Sequence, residues 1–138
     1  MTALVDRHPT GADVESKLDW QRPVGWSAVI AVATVGLVAT LTTTMLAPPA
    51  DPDAVWPLWG EIVSFVYTFA LMAAVVGLGT RRRWGIAAAG VVGLAMVVAS
   101  VGCFVEGHRA VWLWVQLAGG AATAGVAGGI LKPPGMRS

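Results

Sequence analysis

Four apolar stretches, each about long enough to cross a bilayer, take up most of this chain, at roughly 24–46, 57–79, 84–105 and 110–131. A membrane-spanning helix needs about 20 mainly apolar residues, each adding about 1.5 Å of rise. Within the four stretches there is one acid, Glu61, near an end, and no Lys or Arg. In hydrocarbon every backbone N–H and C=O must find a partner inside its own segment, so such runs fold as helices. The expected fold is an all-α integral membrane protein, a four-helix antiparallel bundle.

Little is left over for anything else. The chain has 138 residues, and the four spans leave about fifty for tails and loops. A separate folded domain needs roughly 40 contiguous residues plus staples. The expected layout is a polar N-terminal arm over 1–23, a transmembrane domain over 24–131 and a short tail over 132–138. Function must reside in the bundle, at its two faces or on a partner. Charged residues make up 12% of the chain, and the formal net charge is +1. No broad basic surface exists to hold phosphates, so nucleic acid is not an expected partner.

Basic residues set the expected topology. Arg81, Arg82 and Arg83 form the tight connection between spans two and three. Arg7, Lys17 and Arg22 precede span one, and Lys132 and Arg137 follow span four. Placing the triple arginine in the cytoplasm brings both termini there, with eight of the nine Lys and Arg residues; only Arg109 lies opposite. The expected location is a cell (inner) membrane, crossed several times. Trp20, Trp26 and Trp84 then mark the inner interface, and Trp56, Trp59, Trp112 and Trp114 the outer one, where indoles favour the headgroup level. The polar stretch before span one is long, and that span exceeds the usual 7–15 residues of a signal-peptide core, so it reads as an uncleaved helix.

Local signals refine the layout. Val14 and Leu18 stand one helical turn apart, allowing a short interfacial helix between Thr10 and Trp20. Pro48, Pro49 and Pro52 make the loop from Ala47 to Val55 a stiff non-helical crossing. Pro57 suits the first turn of span two. Small residues repeat every fourth position as Gly85, Ala89 and Gly93 in span three and as Ala121, Gly125 and Gly129 in span four. That spacing lets helix backbones approach closely, which is how spans associate in lipid. Both stripes are expected packing faces, the second against the other spans or against another subunit.

Chemistry-bearing residues are few. Glu61 lies about one turn into span two. Ser64 and Thr68 follow at helical spacing, Tyr67 lies deeper, and Gln116 sits at comparable depth in span four. Ionisable groups inside a membrane are functional suspects by default. These five form the candidate polar transmembrane site, with headgroup contact or a Glu61–Gln116 hydrogen bond as the structural reading. Glu106 and His108 are candidates on the outer loop, since carboxylate plus imidazole can hold a metal or move protons. Neither HxxxH nor HxxEH spacing accompanies them, and a solvated turn is the expectation.

Several chemistries lack their residues. Cys103 is the single cysteine, so no disulfide forms within the chain and no cysteine-based metal site exists. No phosphate-binding glycine pattern and no GxSxG elbow occur. No span carries a histidine to ligate haem. No catalytic residues, metal or cofactor are therefore assigned. Thr34, Thr40, Thr42, Thr43 and Thr44 in span one fit hydroxyls bonded back to helix carbonyls.

The Ala/Gly/Val-rich, arginine-favouring composition suits a GC-rich bacterium. The four-span layout is similar to the small fourth subunit of actinobacterial cytochrome oxidase, although no motif can be matched; the similarity implies a place in a respiratory complex. The expected function is a small non-catalytic accessory or assembly subunit of a larger bacterial membrane complex. Its expected partners are the lipid bilayer and other membrane subunits or copies of itself. The alternative is a small oligomeric transporter or channel with Glu61 on the translocation path.

Overall fold

The computed structural model describes residues 22–132. The short helix expected between Thr10 and Trp20, nearly all of the arm and the tail after Lys132 lie outside the described residues. What is described is all-helical: α1 Trp26–Leu46, α2 Leu58–Gly79, α3 Arg83–Val105 and α4 Val111–Leu131. All four are long and apolar enough to span a membrane, which makes this a multi-pass membrane protein. Each helix begins and ends within two residues of the run that hydropathy marks.

Most of the interior gathers around α3. It packs on α2 along one side and on α4 along the other, and α4 in turn carries α1. The helices joined by the proline-rich crossing, α1 and α2, are not close neighbours. That crossing is extended apart from a turn at Asp51, whose carboxylate accepts a hydrogen bond from the Asp53 N–H at 3.0 Å. Its length lets α1 and α2 separate.

Glycine decides where the helices touch. A Cβ on Gly77 of α2 or on Gly85 of α3 would collide with the other residue's backbone. Gly93 of α3 meets α4 equally closely: a Cβ there would lie 2.6 Å from the Gly120 carbonyl oxygen and 2.7 Å from the Ala124 nitrogen. A Cβ on Gly119 would lie 2.7 Å from that of Ala39 in α1. Small residues here replace the hydrophobic driving force that lipid removes, because close backbones gain van der Waals contact over their whole length.

The two stripes read from the sequence behave differently. Gly85, Ala89 and Gly93 are buried at helix contacts. Ala121, Gly125 and Gly129 are exposed, and a Cβ at Gly125 or Gly129 would meet nothing within 4 Å. Inside the chain α4 packs through Gly120, Thr123 and Ala127 instead. The sequence offers small residues on more than one face of α4, and the intramolecular contact uses the neighbouring one.

Buried polar groups are few and satisfied. Ser100 donates to the Met96 carbonyl at 2.9 Å and Thr123 to the Gly119 carbonyl at 2.8 Å. Thr42, Thr43 and Thr44 bond back in the same way, to the carbonyls of Val38, Ala39 and Thr40. These hydroxyls thus serve their own helices. Among the described residues no buried side-chain nitrogen or oxygen lacks a partner.

Helix ends define the two faces of the bundle. α2 closes with paired bonds, Arg82 N–H to the Gly77 carbonyl and Arg81 N–H to that of Leu78. Arg81 sits at φ 57°, in the left-handed position where glycine is usual. Several contacts hold it there. Its Nε donates to the Val24 carbonyl at 3.0 Å, its own carbonyl accepts from the Val24 N–H at 2.8 Å, and its guanidinium lies 5.2 Å from the Trp26 ring centre. Next to it, Arg83 reaches the Leu131 carbonyl at 3.3 Å and caps the end of α4. This is the arginine end. At the opposite, acidic end, α3 closes through Gly107 at φ 91°, with the His108 N–H bonded to the Cys103 carbonyl.

Candidate functional site

At the acidic end a cleft of about 300 Å³ opens between α2, α3 and α4. The first turns of α2 supply Trp59, Ser64 and Tyr67, and Trp56 enters from the loop before it. Met96 and Cys103 of α3 lie along its floor, with Glu106 just past the end of that helix. Trp112 and Gln116, one turn apart on α4, close the far side.

One hydrogen bond organises the rim. The Trp59 indole N–H donates to Glu106 Oε1 at 3.0 Å. The same indole lies over Gly102, one turn before Glu106: a Cβ there would strike Trp59 Cη2 and come within 2.7 Å of Cζ3. The missing side chain at Gly102 is therefore what lets the ring lie flat enough for its N–H to reach the carboxylate.

The five-residue polar site read from the sequence is divided by this geometry. Ser64, Tyr67 and Gln116 line the cleft together. Glu61 and Thr68 are exposed and lie outside the lining. Thr68 is bonded back to the Ser64 carbonyl at 2.9 Å. The helical period explains the split. Residues 60, 63, 64 and 67 form one stripe that faces α3, and Glu61 is rotated about 100° from Gly60. The carboxylate that does border the cleft is Glu106. His108, two residues on, is exposed and takes no part in the lining.

Sequence reasoning missed the Trp59–Glu106 pair and gave Trp56, Trp59 and Trp112 a common interfacial role. Gly102 near the end of α3 and Glu106 just past that end stand four apart, and that spacing was an available signal. What it lacked was the knowledge that Trp59 of α2 lies opposite.

A second hollow of about 520 Å³ lies toward the arginine end, between α1 and α2. Val29, Val32, Leu37, Leu71 and Leu78 line it, and its two hydroxyl-bearing residues are Thr40 and Thr123. The Thr123 hydroxyl is already engaged with Gly119. That surface offers apolar contact and no reactive group. Among the described residues no group of three or more His, Cys, Asp or Glu could hold a metal ion.

Compared with protein-family models, curated proteins and solved structures, the chain matches none. The functional reading therefore rests on the geometry.

Proposed function

We propose that the chain is a small, non-catalytic subunit of a larger membrane protein complex, and that it docks against a helix of another subunit through the outward face of α4. The supporting observation is a contrast between outward faces. Those of α1 and α2 carry bulky apolar side chains such as Ile30, Leu37, Phe65, Phe69 and Met72, as expected for contact with lipid tails. From Ala118 to Gly129 the outward positions of α4 are Ala118, Ala121, Ala122, Gly125, Gly128 and Gly129. A face of bare backbone gains little from lipid and much from another helix, which can approach closely along it.

The reading includes an antiparallel arrangement with both termini in the cytoplasm of a bacterial inner membrane. Two features support it. The start of α2 lies against the end of α3 at Trp59, Gly102 and Glu106, and the end of α2 against the start of α3 at Gly77 and Gly85. The arginine end also gathers Arg22, Arg81, Arg82, Arg83 and Lys132, as cytoplasmic faces do. A place in a respiratory complex belongs to the same proposal. A transporter with Glu61 on its path gains no support from this cleft, since Glu61 is not among the residues that line it with Ser64, Tyr67 and Gln116.

Cysteine cross-linking tests the docking face. In a Cys103→Ser background, Gly125→Cys labelled with a maleimide-linked benzophenone should form a specific photo-cross-linked species in native membranes, because the excited ketone inserts into a C–H bond of whatever helix lies against it, and Phe69→Cys carrying the same label on the bulky face of α2 should not. Equal cross-linking at both positions, or at neither, contradicts the reading.

A further inference from the structure

We propose that the cleft at the acidic end is a binding site for a methylated ammonium group, either a lipid headgroup or a free organic cation. This inference is independent of the docking face on α4.

The choice of rings is the first argument. The chain has seven Trp, one Tyr and three Phe. The aromatic residues lining the cleft are Trp56, Trp59, Tyr67 and Trp112, and none is a phenylalanine. Phe65, Phe69 and Phe104 all lie elsewhere. A cation is drawn to the negative face of an aromatic ring, most strongly to that of tryptophan, and cages of such rings suit quaternary ammonium groups.

Charge is the second argument. The one acidic residue in the lining is Glu106, and the lining holds no Lys or Arg. Around this end of the bundle stand Asp51, Asp53, Glu61 and Glu106, against Arg109 as its one Lys or Arg among the described residues, with His108 beside it. A cation is attracted towards the cleft and an anion is repelled. Among the described residues the Glu106 carboxylate accepts one hydrogen bond, from Trp59, and a carboxylate has about four acceptor positions. The bond fixes the carboxylate and leaves acceptor capacity to face a ligand.

Shape is the third argument. About 300 Å³ lies at the small end of the range for small-molecule sites, roughly 300–1,000 Å³. Val63, Ala95, Met96 and Ala99 give the floor apolar surface that suits N-methyl groups. A hydrated inorganic cation would find few oxygens there, because Ser64, Tyr67, Gln116 and Glu106 supply the polar side chains. A methylated ammonium needs no shell of oxygens and loses less hydration on entering.

The test is a titration of the full-length chain in maltoside micelles, read by tryptophan fluorescence, since three of the seven tryptophans line the site. The probes are choline and its neutral isostere, in which carbon replaces the quaternary nitrogen. Choline should bind roughly two- to thirty-fold more tightly than the isostere. Glu106→Gln keeps an acceptor for Trp59 but removes the charge, and should weaken choline without changing the isostere. Trp112→Leu should weaken choline as well, and Phe65→Leu, outside the cleft, should not. If Trp112→Leu fails to fold, Glu106→Gln decides the matter alone. A second arm separates the two sources. In phosphatidylcholine nanodiscs, compared with phosphatidylglycerol ones, lower apparent choline affinity identifies the headgroup as occupant, and equal affinity identifies the free cation. Equal binding of choline and the isostere overturns the proposal, as does absence of binding, or choline affinity unchanged in Glu106→Gln.

Discussion

The indole N–H of Trp59 donates to Glu106 Oε1 at 3.0 Å, and its ring occupies the space that a side chain at Gly102 would fill. Three residues from two helices thereby set the rim of the acidic-end cleft. Trp59→Phe keeps most of the ring and removes the donor. It should lower stability by about 0.5–1.5 kcal/mol, the usual net value of one hydrogen bond, measured by thermal unfolding in maltoside.

Gly102→Ala should act on the same bond from the other side. The new methyl meets the far end of the Trp59 ring, so the ring can swing away while the backbones stay in place. The expected result is a modest loss of stability and a shift of the Trp59 indole N–H resonance in NMR spectra. An unshifted resonance would show that Gly102 does not hold the ring in place.

At Gly93 no such relief exists. A Cβ there meets the backbone of Gly120 and Ala124 in α4. Gly93→Ala should therefore force α3 and α4 apart, at a cost of about 1–3 kcal/mol, the usual range for overpacking. Val98→Leu, at an exposed position on the same helix, should change stability little.

Arg81 is held in a backbone conformation that costs an ordinary residue about 1–2 kcal/mol. Arg81→Ala loses the hydrogen bond to the Val24 carbonyl and the contact with Trp26, and keeps that cost. Arg81→Gly loses the same contacts but sheds the cost. The glycine variant should unfold at the higher temperature of the two. The reverse order would mean that the left-handed turn contributes no strain.

The spans were legible because hydropathy in lipid is nearly the whole folding signal: a run such as Leu58–Gly79 has no other place to go. Partner choice was less legible. Gly85 and Gly93 could be read as contact positions, because a glycine at a regular spacing on a span has few other uses. On α4 small residues occupy several faces, so periodicity could not distinguish Gly120, against α3, from Gly125, facing outward. The cleft divides the grouping of Glu61 with Ser64 for a similar reason. Three residues of separation put them near each other on α2, but the cleft takes the stripe through Gly60, Ser64 and Tyr67 and leaves Glu61 outside it. The Trp59–Glu106 bond joins residues 47 apart, and no local pattern announces a contact of that range.

The outward Ala and Gly face of α4 carries the functional reading, and particle mass in native-like lipid tests it most directly. Wild type, extracted gently or held in nanodiscs, should run as an assembly well above one 14.2 kDa chain. Gly125→Leu should leave the thermal stability of the single chain unchanged, since open space surrounds that position, and should release the chain from the assembly. A wild-type protein that is monomeric under these conditions, or an assembly that Gly125→Leu leaves intact, would contradict the account.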